Sequence, residues 1–200
     1  MVDGDRPGAE LLLSPADLRG VVTRLAAELE TAYPDGVVLV GVLKGSIVFL
    51  SDLVRRLRVP VLVDLVAVSA YAAGGRRARL VKDLDIDVAG RDVVVVEDLV
   101  DTGLTLGFLL GTLRRRRPAS LAVCTLLDQP ARRLLPVELR FRGVEIPDTL
   151  VVGYGLDFAG RYRNLDGVWT VDPAVLAADP DAYVRRLHPP GPPSGPPSAR

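Results

Sequence analysis

Long apolar runs alternate with helical patterns along the chain. Two short apolar segments, Leu150–Val152 and Val168–Val171, are expected to be strands. Strands that alternate with helices predict an α/β fold, with a mainly parallel central sheet and helices on both faces. Four mostly apolar runs have the length of strands buried on both faces: residues 37–42, 59–68, 92–96 and 121–127.

The segments between these runs have helical spacing. Ser14 and Pro15 form an N-cap followed by proline at the first helical position, and apolar residues then recur at helical spacing up to Tyr33. Further helices are expected over residues 46–57 and 106–115. Ligands in such folds bind at the carboxyl ends of the strands, so the loops that follow these strands are where a site is expected.

Length and composition indicate one domain. The chain has 200 residues, of which 48% are hydrophobic, enough for a single sizeable core. The proline-rich residues 188–200 bury too little apolar surface to offset their ordering entropy. We therefore assign residues 1–187 to a single domain and residues 188–200 to a disordered tail.

The charge balance argues against a nucleic-acid-binding protein. Lysine and arginine number 25, aspartate and glutamate also 25, so the net charge is zero. The arginines at 114–117 end a predicted helix, where positive charge complements the helix dipole. The lone Cys124 fits a reducing compartment and a core position, and no apolar run is long enough to cross a membrane. We expect a cytoplasmic protein with neither membrane nor nucleic acid as a partner.

One segment carries most of the candidate chemistry. A valine-rich strand ends in the adjacent acids Glu97 and Asp98, and a short loop then supplies Asp101, Thr102-Gly103 and Thr105 before a helix. Backbone N–H groups at a helix start, together with threonine hydroxyls, form a natural phosphate site. Acids beside it suit a metal-bound ligand with many hydroxyls, such as a ribose phosphate.

Residues 95–106 closely resemble the phosphoribosyl-pyrophosphate motif of type I phosphoribosyltransferases, nearest to the hypoxanthine-guanine branch. The resemblance extends over roughly residues 37–172. It implies that Glu97 and Asp98 hold the ribose hydroxyls and that Asp101 acts as general base near N7 of a purine. It also implies that a loop cradles the 5′-phosphate, formed by Asp101, Thr102, Gly103, Leu104 and Thr105.

Three further segments fit the same resemblance. Leu43, Lys44 and Gly45 match the pyrophosphate loop, in which the family has a cis peptide before the lysine, and Arg163 would also grip pyrophosphate. Asp157, with Glu97 and Asp98, would bind Mg²⁺. The resemblance places Ala70 and Tyr71 at the start of a flexible hood. It implies a base-binding set of Gln129, Leu150, Val151 and Asp157.

The sequence departs from the family pattern mainly where the base would bind. Gln129 stands where the family usually has lysine, Leu150 where it has an aromatic ring, and Ala70 where it has serine before the hood tyrosine. Gln129 lacks the charge of lysine and can present either its amide N–H groups or its carbonyl. The identity of the base therefore stays open.

These residues predict a Mg²⁺-dependent phosphoribosyltransferase that joins a purine base, hypoxanthine or guanine by default, to phosphoribosyl pyrophosphate. One alternative is the same reaction on a 6-substituted or non-standard base. Another is a non-catalytic sensor of phosphoribosyl pyrophosphate or nucleotide. An aspartic protease is excluded, because the sequence Asp101-Thr102-Gly103 occurs once and opens a helix. From the family we also expect a homo-oligomer, a dimer or a tetramer.

Overall fold

The computed structural model describes residues 8–69 and 78–187. The hood residues Ala70 and Tyr71 and the tail at 188–200 lie outside this part of the chain. The strands within it are β1 (Glu10–Leu13), β2 (Val37–Leu43), β3 (Val61–Ser69), β4 (Arg79–Lys82), β5 (Asp92–Val100), β6 (Ser120–Asp128), β7 (Phe141–Glu145), β8 (Leu150–Val152) and β9 (Val168–Val171). The helices are α1 (Pro15–Ala32), α2 (Ile47–Val54), α3 (Leu104–Arg114), α4 (Pro173–Ala178) and α5 (Val184–Leu187), with a 3₁₀ turn over Pro130–Arg132.

The strands form two sheets. The central sheet has the order β4-β3-β2-β5-β6-β7, and all its pairs are parallel except the antiparallel edge pair β3–β4. The smaller sheet has the order β1-β9-β8 and is antiparallel. The predicted α/β fold with a mainly parallel sheet is confirmed. Because β2, β5 and β6 run side by side in the same direction, the loops that follow them meet at one edge.

Alternating side chains of β5 divide the core between the two faces of the central sheet. Val94 and Val96 belong to the cluster that α1 and α2 cover, whereas Val93 and Val95 belong to the cluster that α3 covers. Cys124 is fully buried, as expected of a core residue. Helices thus cover both faces of the sheet, and the strand that carries Glu97 and Asp98 is held at its centre.

The structure corrects several predicted boundaries. β5 does not end at residue 96 but continues to Val100, because it stays paired with β6 through Leu99–Leu127 and Val100–Asp128. α3 begins at residue 104 rather than 106, and α2 ends at 54 rather than 57. Three strands that the sequence analysis did not predict are β1, β4 and β7.

The two short predicted strands, β8 and β9, do not extend the central sheet. They pair with each other, and β9 also pairs with β1 near the start of the chain. The helices α4 and α5 pack on this small sheet through Leu176 and Leu187. No helix within residues 8–69 and 78–187 is long and apolar enough to cross a membrane.

Candidate active site

β5 presents two adjacent acids near the carboxyl edge of the central sheet. Glu97 is 8% exposed, and its burial, together with the charges of Asp98 and Asp101, raises its pKa well above the usual range. Asp98 faces the opposite side of the sheet, since side chains alternate along a strand. Burial raises the pKa of Asp98 to about 6, although Arg163 acts in the opposite direction. Both carboxylates are therefore costly to ionise without a ligand that donates hydrogen bonds or brings positive charge.

The loop after β5 turns directly into α3. The Thr102 hydroxyl donates to Asp101 Oδ1 at 3.3 Å and accepts from the Leu104 N–H at 3.4 Å. Gly103 has a φ of 78°, which glycine adopts without steric cost. The first N–H groups of a helix, here those around Leu104 and Thr105, lack partners within the helix and lie at its positive end. This geometry is suited to a phosphate group.

The loop after β2 lies directly against Asp98. The peptide bond between Leu43 and Lys44 is cis, as the family resemblance implied, and the Lys44 side chain is exposed. A Cβ atom placed on Gly45 would lie 1.7 Å from Asp98 Oδ2. The hydroxyl of the buried Ser46 donates to the Val42 carbonyl at 2.6 Å and stabilises the turn. Glycine is therefore required at position 45 for the loop after β2 to approach β5 this closely.

A third loop, which follows β8, closes on the same point. A Cβ atom on Gly155, whose φ is 101°, would lie 2.2 Å from the Gly45 carbonyl oxygen. Arg163 donates to the Gly155 carbonyl at 2.6 Å and pairs with Asp157 at 2.6 Å. The other Asp157 oxygen accepts from the Gly160 N–H at 2.7 Å. The residues expected to bind pyrophosphate and Mg²⁺ are thus brought together with Asp98.

The described residues fit a shared metal site rather than a closed one. No three His, Cys, Asp or Glu side chains within residues 8–69 and 78–187 form a group that could hold a metal ion by themselves. Mg²⁺ commonly binds through one or two carboxylates and completes its coordination with water and substrate phosphates. One or two of the candidates Glu97, Asp98 and Asp157 would supply hard oxygen ligands of that kind.

The Gln129 side chain binds the backbone of its own protein, a role that its position in the sequence did not indicate. The side chain is 1% exposed, and its Nε2 donates to the carbonyls of Pro147 at 2.8 Å and Thr149 at 2.9 Å. Both amide hydrogens are therefore used within the protein, because a glutamine amide has only two. Gln129 thus stabilises the turn that leads into Leu150 and Val151. Its amide has no hydrogen left to donate to a base.

Arg133 and the pair Tyr154–Asp52 are contacts near the site that the sequence analysis did not single out. Arg133 donates to the Asp101 carbonyl at 2.7 Å, from behind the loop. The Tyr154 hydroxyl donates to Asp52 of α2 at 2.5 Å and links the third loop to the helix that follows Gly45. An arginine doublet and a lone tyrosine carry no pattern in sequence that distinguishes such roles.

Comparison with known proteins agrees with this geometry. Residues 12–159 match the family model described as the phosphoribosyl transferase domain. The hypoxanthine phosphoribosyltransferase of Salmonella typhimurium is 43% identical over 168 residues, which cover 81% of this chain and 94% of that protein. The chain belongs to the phosphoribosyltransferase family.

Relatives named for both bases are also similar to this phosphoribosyltransferase. The hypoxanthine-guanine phosphoribosyltransferase of Bacillus subtilis is 40% identical over 170 residues, covering 83% of this chain and 94% of that one. A crystal structure of a hypoxanthine-guanine phosphoribosyltransferase from Bacillus anthracis has a TM-score of 0.80 and 37% identity, and the match covers 84% of this chain and all of the other. The family match begins at residue 12, before the segment 37–172 in which the sequence resembles the family, and it includes α1.

The raised pKa of Asp98 predicts that this carboxylate lowers stability above pH 6. An acid whose pKa is raised to about 6 in the folded protein, from 3.8, makes the free energy of unfolding fall as the pH rises between those values. Since one pKa unit corresponds to about 1.4 kcal/mol, we expect Asp98→Asn to stabilise the ligand-free protein at pH 8 by about 1–3 kcal/mol. Urea denaturation at pH 8 and pH 4 measures this gain, which should largely disappear at the lower pH.

The matched control for Asp98→Asn is Asp35→Asn, at an exposed position in the turn after α1. We expect this variant to change stability by less than about 0.5 kcal/mol at either pH, as is usual for surface substitutions. Equal effects of the two variants at pH 8 would contradict the assignment of a buried, costly charge to Asp98.

Proposed function

We propose that the protein catalyses the Mg²⁺-dependent transfer of the 5-phosphoribosyl group from phosphoribosyl pyrophosphate to hypoxanthine or guanine. The products would be the nucleoside 5′-monophosphate and pyrophosphate, as in purine salvage. The observation that carries this proposal is the close approach of the loops after β2 and β8 to the end of β5, where Gly45 lies against both Asp98 and Gly155. That junction collects groups for a phosphate, a ribose and a pyrophosphate within one site.

The ribose 5-phosphate would lie across the end of β5 and the start of α3. The 5′-phosphate is assigned to the loop from Asp101 to Thr105, where the N–H groups at the start of α3 and the helix dipole favour an anion. The ribose hydroxyls are assigned to Glu97 and Asp98. Hydroxyl donors would offset the burial that raises the pKa of both carboxyl groups.

The leaving pyrophosphate is assigned to Leu43, Lys44, Gly45 and Arg163. The backbone turn at 43–45 and the exposed Lys44 supply donors, while the planar Arg163 guanidinium suits the anion. Mg²⁺, held by Asp157 with Glu97 and Asp98 as further candidate ligands, would neutralise charge on the pyrophosphate oxygens. Arg163 is already oriented by Asp157 and Gly155, so its side chain loses little conformational entropy when it binds pyrophosphate.

The chemistry is a displacement at C1 of the ribose. The bond between C1 and the pyrophosphate oxygen breaks, and a bond between C1 and a ring nitrogen of the base forms. The transition state has ribosyl-cation character, so positioning and neutralisation of the leaving group supply most of the catalysis. Asp101, the first residue of the loop, would accept the proton released from N7 of the purine as the other nitrogen of its five-membered ring bonds to C1.

A second candidate is the same reaction on a 6-substituted or non-standard base. The observation that favours it is the amide of Gln129, whose two hydrogens are bound to Pro147 and Thr149. Leu150 in addition offers an apolar wall without an aromatic face. A non-catalytic sensor is the third candidate, but it would have no need for a base at Asp101 together with Asp157 and Arg163.

We also propose a homo-oligomer, a dimer or tetramer, and a cytoplasmic location. The oligomer follows the family expectation, and light scattering after size-exclusion chromatography measures it. The cytoplasmic location is supported by the single cysteine, Cys124, which is free and buried. Neither proposal affects the assignments within the site.

The first prediction for this function is activity with a purine base. Purified protein with Mg²⁺ and phosphoribosyl pyrophosphate should release pyrophosphate when offered hypoxanthine or guanine within a panel of bases. Asp101→Asn should lower kcat by about 10²–10⁴-fold, the usual contribution of a general base, and leave phosphoribosyl pyrophosphate binding within a few fold. If no base in the panel causes pyrophosphate release, the non-catalytic sensor is favoured. An unchanged kcat for Asp101→Asn would contradict the assignment of Asp101 as the general base.

The second prediction tests the loop junction. Gly45→Ala places a methyl group where the Asp98 carboxylate lies, so the loop or the carboxylate has to move. We expect KM for phosphoribosyl pyrophosphate to rise at least about tenfold, equivalent to about 1.4 kcal/mol. Gly111→Ala in α3, where an added Cβ meets nothing within 4 Å, is the matched control and should leave KM unchanged. Similar KM values for the two variants would rule out the junction as a substrate site.

The third prediction concerns base selection. An ammonium group has three donors, so Gln129→Lys can bind the Pro147 and Thr149 carbonyls and still donate once to a base. We expect the ratio of kcat/KM for hypoxanthine over 6-aminopurine to rise about tenfold, as one charge-assisted hydrogen bond provides. Rates measured with both bases give this ratio. An unchanged ratio would mean that position 129 does not face position 6 of the base.

A further inference from the structure

Arg133 lies behind the loop that carries Asp101. Its side chain is 16% exposed and makes hydrogen bonds to the carbonyls of Asp101 at 2.7 Å and Val100 at 2.9 Å. It also forms an ion pair with Asp128, which is almost fully buried. One guanidinium group therefore joins the last residue of β5, the first residue of the loop and the last residue of β6.

The backbone around Arg133 supports the same loop. The N–H groups of Leu134 and Leu135 both donate to the Thr102 carbonyl at 3.0 Å. A Cβ atom on Gly103 would lie 2.5 Å from the Leu135 carbonyl oxygen, and Arg133 Cδ would be 3.2 Å away. The carbonyl groups of residues 100 to 102 are thus held from behind, which leaves the N–H side of the loop free to bind a ligand.

Asp128 orients the guanidinium group. One carboxylate oxygen pairs with Arg133, and the other accepts from Arg142 of β7 at 3.3 Å. Buried charges of this kind persist when they are paired and fully hydrogen-bonded. A planar guanidinium presents five donors in a fixed fork, so it can contact a carboxylate and two carbonyls together, which a lysine ammonium on its flexible stem does less well.

We propose that Arg133, oriented by Asp128, is a positioning residue that sets the conformation of the Asp101–Thr105 loop for the ribose 5-phosphate. The inference rests on the proposed function, because that function assigns the loop to phosphoribosyl pyrophosphate. Arg133 does not touch the substrate in this scheme. It acts through the backbone of residues 100 and 101, and its effect is on the binding of phosphoribosyl pyrophosphate more than on that of the base.

The test compares Arg133→Met and Arg133→Lys with Arg132→Met. Arg132 is the matched control, since it is the neighbouring arginine, is 49% exposed and, within residues 8–69 and 78–187, forms an ion pair only with the exposed Asp148. We expect Arg133→Met to raise KM for phosphoribosyl pyrophosphate at least about tenfold, the loss expected for two or more hydrogen bonds to the loop. KM for hypoxanthine should stay within about twofold. Arg132→Met should leave both unchanged.

Conservative rescue separates positioning from general destabilisation. Arg133→Lys keeps the charge that pairs with Asp128 but contacts fewer carbonyls, so its KM for phosphoribosyl pyrophosphate should lie between those of the parent and Arg133→Met. Millimolar methylguanidinium should lower that KM for Arg133→Met and leave Arg132→Met unaffected. Circular dichroism at the assay temperature establishes that each variant is folded. If Arg133→Met does not fold, Arg133→Lys decides the question. Its KM for phosphoribosyl pyrophosphate should then rise more than its KM for hypoxanthine.

The outcomes distinguish this inference from the proposed function. Equal increases in both KM values, or no increase for a folded Arg133 variant, would overturn the positioning role while the parent enzyme remains active. If the parent protein neither turns over any base nor binds phosphoribosyl pyrophosphate in calorimetry with Mg²⁺, the proposed function itself fails. A parent that binds and turns over, with a selective KM effect at Arg133, supports both.

Discussion

The close approach of two loops and strand β5 at Gly45 is the constraint on which the site depends. A side chain at Gly45 would occupy the position of the Asp98 carboxylate, and one at Gly155 would meet the Gly45 carbonyl. Because the two loops follow β2 and β8, the approach also fixes how the small sheet is placed against the central one. Two glycines without side chains therefore allow groups from distant parts of the sequence to form one site.

Ionising the two adjacent acids of β5 is energetically unfavourable. Burial raises the pKa of Glu97 and Asp98, and the nearby Asp157 adds to the cost at Asp98. The buried position of Glu97 would ordinarily carry an apolar side chain, as the four preceding valines of β5 do. Under the proposed function, Glu97 and Asp98 bind hydroxyl groups and a cation, which would stabilise their charged forms.

The proposed anion-binding and base-binding ends of the site differ in how closely their side chains match the family pattern. At the anion end, the side chains match the family pattern, and the structure brings Arg163, Asp157 and Asp98 together. At the base end, Gln129 bonds to the backbone and shapes the turn before β8. Under the proposed assignments, the reaction class follows from the first end, while the choice of base depends on the second.

The sequence by itself determined the α/β fold, the family and the segment from Glu97 to Thr105, because apolar runs and a continuous motif are local properties. It did not determine the separate sheet of β8 and β9, in which β9 pairs with β1 about 160 residues earlier in the chain. Only tertiary structure decided that both hydrogens of Gln129 are used and that Arg133 lies behind Asp101. Hydrogen-bond partners depend on which backbone groups the fold brings within 3 Å, and residue type alone does not encode them.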